Sequence, residues 1–235
     1  MLKVGQAGGV ATLLLDRPDL GNALGPVLVE ALITEVGRVL ADTATHTLVL
    51  GTTGKHFCTG LDLVGLESLS DADLLLRLVR IETLLSMVWH APLRTVALAR
   101  GRTWGAGADL FAVCEQRVAA AGSTFRFPGA QFGIVLGTRR LAERIGADAA
   151  RRLVIEGGEL DASQARAGGL VSAIGDTAEL PDPMVDAGTA AAIRAATRAD
   201  LRDADLAALV RSASVPGLQQ RIARYRERLL ARRPA

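Results

Sequence analysis

The sequence predicts a mixed α/β fold with a helical C-terminal region. Two observations support this prediction. A unit of buried strand, glycine-bearing loop and helix occurs twice in the first part of the chain, and the pattern becomes mainly helical from Thr138 onward. The chain has 235 residues, of which 49% are hydrophobic and 22% charged. This length and composition are typical of a globular protein that buries one substantial core.

The first predicted elements are a hairpin, a helix and a buried strand. Gly8 and Gly9 form a turn signal between two short arms that alternate apolar and small residues, the second reading VATLLLD. From Gly25 to Leu40, apolar residues recur at intervals of three and four, and Pro26 stands at a first-turn position. This spacing predicts an amphipathic helix. The run HTLVLGT that follows is short and apolar, as expected for a buried strand.

The middle of the chain completes the first unit of strand, loop and helix and contains the second. A turn-rich loop, TGKHFCTGLDLVGLESLSDAD, leads to a strongly apolar helix from Leu74 to His90, which Pro92 ends. RTVALARG is then predicted as a buried strand, WGAGADLFAVC as a turn and helix, EQRVAAAG as a strand and STFRFPGAQFGIVLG as an irregular segment.

The last third of the chain contains one more strand and then helices. SQARAGGLVSAIG reads as a helix, a turn and a strand, and the Ala- and Arg-rich tail beyond Pro183 reads as helical. GDTAELPDPMVDAG has the Pro, Asp and Gly content of a linker. We therefore expect a core domain over residues 1–175 and a C-terminal helical region over 176–235.

Charge, cysteine content and the N-terminus limit the possible functions. The formal net charge of +2 argues against a nucleic-acid partner. The basic end RIARYRERLLARRPA can be read as a solvated helix or as a contact for a phosphate-bearing ligand. Cys58 and Cys114 are far apart, and no His/Cys cluster indicates a metal site. Without a signal peptide or an apolar run of roughly 20 residues, the expected location is cytoplasmic, with no membrane partner.

Gly105-Ala106-Gly107 raises the question of a ligand loop. A dinucleotide loop would need GxGxxG, but the third position is Leu110, and the chain has no Gly-Lys-Ser/Thr triplet for a phosphate loop. The stretch instead reads as a helix N-terminus whose first amides have no intrahelical acceptor and suit a developing oxyanion. The loop FCTGLDL offers a second amide at Leu61. Two amides from separate loops could form an oxyanion hole, or the glycines could serve only tight packing.

Four stretches in order carry a family resemblance: DRPDLGNAL, GKHFCTGLDL, GRTWGAGADLFAVCEQRVAAAGSTFRFPG and AGGLVSAI. Together they resemble the crotonase superfamily, also called the enoyl-CoA hydratase/isomerase family, over roughly residues 10–175, with a short gap near Gly137. The resemblance implies a spiral of ββα repeats and a C-terminal helical region that mediates assembly into a homotrimer or a dimer of trimers. It also implies an acyl-CoA thioester substrate, so that CoA enters with the substrate and no separate cofactor is expected.

The resemblance also assigns catalytic positions. The backbone amides of Leu61 and Ala106 match the oxyanion-hole donors, and Asp109 matches the first of two acidic residues that the family's hydratases use. The second acid is replaced by Gly129. Each general acid or base contributes roughly 10²- to 10⁴-fold to a rate, so hydration should be badly impaired. Double-bond isomerisation, which can use a single carboxylate, is the favoured reaction. The alternatives are a non-catalytic acyl-CoA binding protein and a thioester hydrolase or decarboxylase.

The remaining candidate contacts are weaker. The resemblance suggests CoA binding by Arg17, Lys55, Cys58, Gly60 and Gly105, and by Arg224 or Arg228 on the C-terminal helix of a neighbouring subunit, although exposed basic residues need no ligand. Three further residues lie near these motifs. We expect His56 to be a spectator and Glu67 to be solvated. Arg126 lies between two aromatic residues and, if buried, would need a carboxylate, for which Asp109 or a ligand carboxylate is a candidate.

Overall fold

The computed structural model describes residues 1–231. It contains nine strands: β1 (Leu2–Ala7), β2 (Val10–Leu15), β3 (Thr47–Thr52), β4 (Arg94–Ala99), β5 (Arg102–Trp104), β6 (Gln116–Ala119), β7 (Thr124–Arg126), β8 (Glu159–Asp161) and β9 (Ala173–Ile174). A six-stranded sheet has the order β1-β2-β3-β4-β6-β9, in which β1 is antiparallel to β2 and all other neighbours are parallel. The predicted hairpin and the four other predicted strands all lie in this sheet.

The helices within the described residues pack around the sheet and beyond it. They are α1 (Pro26–Ala41), α2 (Asp71–Trp89), α3 (Ala106–Ala112), α4 (Thr138–Ile145), α5 (Ala147–Glu156), α6 (Ala162–Ala167), α7 (Ala187–Ala196), α8 (Arg202–Ala213) and α9 (Leu218–Ala231). α2 begins three residues before the predicted start. Ser70 and Asp73 explain the difference, because each side chain accepts a hydrogen bond from the other's backbone amide and so caps the helix.

A second sheet of three short strands was not predicted. β5 is parallel to β7, and β7 is antiparallel to β8. The expectation that the segment 123–137 is irregular was therefore wrong at its start, where β7 forms. Strands of three residues are too short to show a period of two in a sequence. Between Phe127 and Gly133 the segment forms a 3₁₀ turn over Pro128–Phe132.

The two sheets together form the predicted ββα spiral. Each unit places one strand in the large sheet, a second extended segment in or beside the small sheet, and then a helix. The units are β3, Cys58 and α2; β4, β5 and α3; and β6, β7 and α4. Cys58 stands in for a strand by forming a parallel bridge with Thr103 of β5. This repetition confirms the predicted fold class and brings successive strand-to-helix loops side by side.

Two hydrophobic clusters hold the described part of the chain together. The larger lies between the sheet and helices α1, α2 and α3, and includes Leu13 and Leu50, which are aligned in neighbouring strands and have no exposed surface. The smaller joins α2 to α8 and α9 through Leu78, Leu209 and Ile222, among others. The C-terminal helices are thus packed against the face of the molecule that carries the predicted site.

The chain changes character after the last strand of the large sheet. β9 ends at Ile174, a mostly exposed segment follows, and α7 begins at Ala187. The predicted boundary between 175 and 176 falls in this segment, although the division into two domains stays a prediction. Among the described residues, no helix combines the length and the apolar character that a membrane crossing would require.

Candidate active site

Two glycine-bearing loops meet at the centre of the site. A Cβ atom added to Gly60 would lie 2.9 Å from the carbonyl oxygen of Trp104 and 3.4 Å from the amide nitrogen of Ala106, so only glycine allows this approach. Gly60 and Gly105 both have a positive φ, of 96° and 55°, a conformation that costs glycine little. The loops that carry Leu61 and Ala106 are therefore in direct contact, as the oxyanion-hole hypothesis requires.

The backbone amides of Leu61 and Ala106 are available to a ligand. Gly105 anchors its loop by donating to the Arg126 carbonyl at 2.8 Å, and its own carbonyl accepts from the Ala108 and Asp109 amides. Over the described residues, neither the Leu61 nor the Ala106 amide has an intramolecular acceptor. Both residues line the same cavity. An unpaired amide that is shielded from water is costly, so two unpaired amides on residues that line one cavity favour an oxygen ligand at that place.

The cavity is mainly apolar. α9 closes one side of it through Ile222, Tyr225 and Leu229. The other lining residues, besides those of the two loops, come from α2, the segment after β7, and the helices α4 and α5; the larger apolar ones are Leu63, Leu78, Phe127, Phe132, Ile134, Leu136, Leu141 and Val154. An apolar chain with a polar end at the two amides fits this lining better than a charged or sugar-like ligand does.

Asp109 is the acidic residue of this cavity. It lies one turn beyond Ala106 on α3, only 5% of its surface is exposed, and its Oδ1 has no hydrogen-bond partner. Burial raises the pKa of Asp109 well above its ordinary value, the Glu82 carboxylate adds to the rise, and the Arg140 guanidinium opposes it. Of the residues that the structure describes, Asp109 is the only acidic one that lines the cavity.

Gly129 occupies the place that the sequence assigned to a missing acid. It lines the same cavity as Asp109, on the 3₁₀ turn after β7. A Cβ atom added there would lie 3.4 Å from the Ile134 carbonyl oxygen and farther from other atoms outside its immediate neighbours. A Cβ atom would therefore be in ordinary van der Waals contact, so the backbone at this position does not itself exclude a side chain.

A buried ion pair near Asp109 was missed by the sequence analysis. On α2, Glu82 accepts hydrogen bonds from both terminal nitrogens of Arg140, at 3.0 and 2.5 Å, and both side chains are almost fully buried. The sequence carried a signal for Glu82, because it follows Leu74 and Leu78 at four-residue steps and so falls on the buried face of α2. It carried no comparable signal that would separate Arg140 from the exposed Arg139 beside it.

The predicted CoA contacts have different surroundings. Arg17 donates to the Asp62 carboxylate at 2.9 Å and to the Ala23 carbonyl at 3.1 Å. Its guanidinium therefore already holds the loop that carries Leu61 and Asp62. Lys55 is exposed. Gly60 and Gly105 line the cavity. Phosphate contacts by Arg17 and Lys55 stay predictions.

Cys58 has no exposed surface with which to reach a CoA molecule, so the predicted contact finds no support in the structure. It packs beneath Gly107 of α3, where an added Cβ atom would overlap its carbonyl oxygen. Burial raises the pKa of the Cys58 thiol to about 12. Its contribution is to the loop: the Cys58 carbonyl accepts from the Trp104 amide at 2.9 Å, which links the two halves of the site.

Other polar candidates lie outside the cavity. The Nδ1 of His56 accepts from the Arg102 amide at 3.1 Å, and Glu67 pairs with Arg226 of α9. Neither lines the cavity, as expected for a spectator and a surface residue.

Of the two suggested partners of Arg126, Asp109 is not in contact with it, and a ligand carboxylate stays a prediction. Arg126 approaches Glu159 in the neighbouring strand β8 at 3.7 Å and stacks on Trp104, and it forms no ion pair with Asp109. The partner strand was not predicted, so this cross-strand pair could not be anticipated.

The C-terminal arginines form a basic cleft next to the cavity. Arg224 and Arg228 lie on α9, and the cleft also includes Arg221 and Gln131. Arg228 further borders a small pocket with Tyr225 and Leu229, which line the main cavity. Positive charge is thus placed beside the cavity by α9 of the same chain, whereas the prediction that a neighbouring subunit supplies it stays untested.

Comparisons with known proteins point to one family. The family model described as enoyl-CoA hydratase/isomerase matches residues 5–225. The chain is 32% identical over 168 residues to the enoyl-CoA hydratase domain-containing protein 2, mitochondrial, of Bos taurus, covering 70% of this chain and 57% of that protein. It is 33% identical over 182 residues to a Mycobacterium bovis protein assigned as the enoyl-CoA hydratase echA6, covering 76% of this chain and 72% of that one.

A solved structure extends the likeness over nearly the whole chain. A Bordetella parapertussis protein assigned to the enoyl-CoA hydratase/isomerase class superposes with a TM-score of 0.90, at 38% identity and 99% coverage of both chains. The two sheets and the helices around the cavity therefore have the same arrangement in a protein that is more than one third identical.

Proposed function

Because the chain belongs to the enoyl-CoA hydratase/isomerase family, we propose that it moves the double bond of an enoyl-CoA thioester, with Asp109 as the single acid/base. One observation carries this proposal. Two free amides, of Leu61 and Ala106, and one buried carboxyl whose Oδ1 is unpaired line the same apolar cavity, while Gly129 supplies no second acid.

The proposed reaction needs one proton carrier. The Asp109 carboxylate removes a proton from C2 of a 3-enoyl-CoA, and the C–H electron pair delocalises over the carbon chain onto the thioester oxygen. The amides of Leu61 and Ala106 stabilise this negative charge, a contribution of several kcal/mol in a dry site. Asp109 then returns the proton to C4, and the double bond comes to lie between C2 and C3. No atom is gained or lost, so substrate and product have equal mass.

The environment of Asp109 suits this role. Burial raises its pKa, which makes the carboxylate a stronger base and stabilises the protonated form while the enolate exists.

Hydration has a different requirement, because a water molecule must be held and deprotonated at C3. The family's hydratases divide this work between two acids, and in this chain the second position is Gly129. The structure thus favours isomerisation over hydration.

The direct test follows both conjugation and product mass. Purified protein is incubated with 2-enoyl- and 3-enoyl-CoA of short, medium and long chain, and the expected result is interconversion without change of mass. Asp109→Asn should lower kcat by roughly 10²- to 10⁴-fold, the usual effect of a general acid/base. Glu67→Gln is the matched control, because Glu67 is an acid near the first loop that does not line the cavity. A product heavier by one water would refute the preference for isomerisation.

A second candidate is an acyl-CoA binding protein without turnover. The same lack of an acid at Gly129, together with an Asp109 side chain one methylene shorter than Glu, supports it. Tight binding of every enoyl-CoA with no change of the acyl group would favour this candidate. Release of free CoA from these substrates would instead indicate a hydrolase. A decarboxylase would need a separate assay with a thioester that carries a carboxylate on C2, which would lose carbon dioxide.

Assembly and location are separate proposals. The family resemblance implies a homotrimer or a dimer of trimers, and light scattering of the purified protein would measure the mass of the assembly. A cytoplasmic location remains a prediction from the sequence, and fractionation of the source cells would test it.

A further inference from the structure

Three charged side chains from three helices meet near Asp109. Arg140 of α4 binds Glu82 of α2 through both terminal nitrogens, and one of these nitrogens also lies 3.4 Å from the carboxylate of Asp205 on α8. The Arg140 and Glu82 side chains are 2% and 4% exposed, and that of Asp205 is 15% exposed. The Arg140 guanidinium is thus fixed between two carboxylates inside the molecule. The proposed reaction assigns no role to any of the three.

Two buried polar atoms in this region have no partner. They are the Nε of Arg140 and the Oδ1 of Asp109. Arg140 and Asp109 form no ion pair within 4.0 Å, so the charges act on Asp109 through space and not by contact. Glu82 disfavours a negative charge on Asp109, and Arg140 favours it. In a poorly solvated interior such interactions are much less screened than at a surface.

Other charged side chains on α4 and β5, which pack against α3, have partners elsewhere or are exposed, as Glu143 of α4 is. Arg144 of α4 donates to the carbonyls of Ala112 and Cys114, which lie at and just after the C-terminal end of α3. Arg102 of β5 stacks on Trp104. Arg139 of α4 is largely exposed and binds Asp205 at 2.8 Å.

We infer that Arg140 is a positioning residue for the general acid/base, and that Glu82 and Asp205 hold its guanidinium where it balances the charge on Asp109. This inference rests on the proposed function, since it assigns the network to the reaction that Asp109 performs. The inference also connects α8 to the site. Asp205 of α8 is close to the Arg140 guanidinium and would influence Asp109 by holding that guanidinium in place.

The inference predicts shifts of opposite sign. Removing the charge of Glu82 leaves Arg140 less compensated, so the Asp109 carboxylate should form at lower pH. Removing Arg140 leaves Glu82 uncompensated, so Asp109 should hold its proton to higher pH. A network that only holds three helices together would change stability and leave the titration of Asp109 where it was.

The experiment measures the titration of Asp109 in two ways. The first is the pH dependence of kcat/KM for isomerisation in wild type, Glu82→Gln, Arg140→Met and the double variant. The second is infrared difference spectroscopy of the free protein, in which the carbonyl stretch of protonated Asp109 is assigned by its loss in Asp109→Asn. Both midpoints should move to lower pH in Glu82→Gln and to higher pH in Arg140→Met.

The double variant protects the test against misfolding. Arg140→Met alone leaves Glu82 buried without a partner and could unfold the protein. If it does, the comparison of Glu82→Gln with the double variant isolates Arg140, and the midpoint should be higher in the double variant. Glu30→Gln is the control. Glu30 of α1 forms two hydrogen bonds to Arg80, which lies on α2 like Glu82, and neither residue lines the cavity. Both midpoints should therefore be unchanged in this variant.

The two proposals fail in different ways. If no enoyl-CoA is converted by the wild type, the proposed function fails, and the infrared titration still decides the inference about Arg140. If the enzyme is active but Glu82→Gln and the double variant titrate like the wild type, or shift in the same direction by equal amounts, the inference about Arg140 is overturned and the proposed function stands.

Discussion

Replacing Gly137 with alanine should impair catalysis more than its effect on stability would suggest. Gly137 precedes α4 with φ of 67° and ψ of −6°. An added Cβ atom would overlap Oδ1 of Asp109 and lie 2.6 Å from its Cγ. The methyl group and the carboxyl cannot occupy this space together, so Asp109 has to move. A displacement of about 1 Å of a reacting group costs roughly 10²-fold in rate, which is the expected loss in kcat/KM.

The expected loss of stability comes from the backbone. A non-glycine residue in the left-handed region costs roughly 1 to 2 kcal/mol. For a chain of 150 to 250 residues, this corresponds to a fall in Tm of roughly 2 to 8 °C. The contact with Asp109 adds to this cost unless the side chain can turn away, so the thermal shift measures how far the site relaxes.

Gly65 provides a matched control for this substitution. It has φ of 70° and ψ of 20°, close to the values at Gly137, but the nearest atom to an added Cβ is the Ser68 hydroxyl at 3.8 Å. Gly65→Ala should therefore lose the same backbone free energy and keep its activity. Tm from calorimetry and kcat/KM with a 3-enoyl-CoA are measured for both variants. Equal activity in the two variants, with equal thermal shifts, would show that the space next to Asp109 is not required.

Three further predictions concern the cavity. Gly60→Ala should lower kcat/KM more than 10-fold, which corresponds to about 1.4 kcal/mol of transition-state stabilisation or more. The reason is that the new Cβ would lie 2.9 Å from the Trp104 carbonyl oxygen and push the two amides apart. An unchanged kcat/KM would contradict the oxyanion hole. The Gly129→Glu variant should add water to a 2-enoyl-CoA, which a mass increase would detect. A Cβ at this position meets only Ile134, at ordinary contact distance. Binding of enoyl-CoA without hydration would show that the missing acid is not the only obstacle to hydration. Asp109→Asn should become more stable relative to wild type as the pH rises. The raised pKa of Asp109 gives the folded state stability that is complete below the ordinary value of about 3.9 and is lost as the pH rises through the folded value. A stability difference that does not change with pH would disprove this account.

The sequence predicted the large sheet and not the small one for a physical reason. The hairpin, β3 and β4 are six residues long and contain apolar runs that indicate burial. β5, β7 and β8 have three residues each, and they are strands only because they pair with one another. Pairing of short segments depends on the spiral that brings them together, so no local pattern reports it.

The same distinction applies to the site. The glycine-rich loops and the helix start suggested the amides of Leu61 and Ala106, and the family resemblance assigned these amides and Asp109 to a site; the structure places all three residues on one cavity. Cys58 was assigned to CoA by its position in the motif, but its neighbour in space, Gly107, encloses it. Position in a motif identifies which loop takes part in a site, whereas the direction of each side chain depends on what packs against that loop.

The network at Arg140 shows where sequence reasoning ends. A lone acid on the apolar face of α2 announces that a buried partner must exist, because an unpaired charge in the interior is costly. It does not say which cation that is, since Arg139 and Arg140 are adjacent and chemically identical. The three-dimensional structure identifies the partner: the Arg139 side chain is 41% exposed, whereas that of Arg140 is buried against Glu82. The charge next to Asp109 is therefore set by α2, α4 and α8 together, and the reactivity of one carboxyl depends on helices from both halves of the chain.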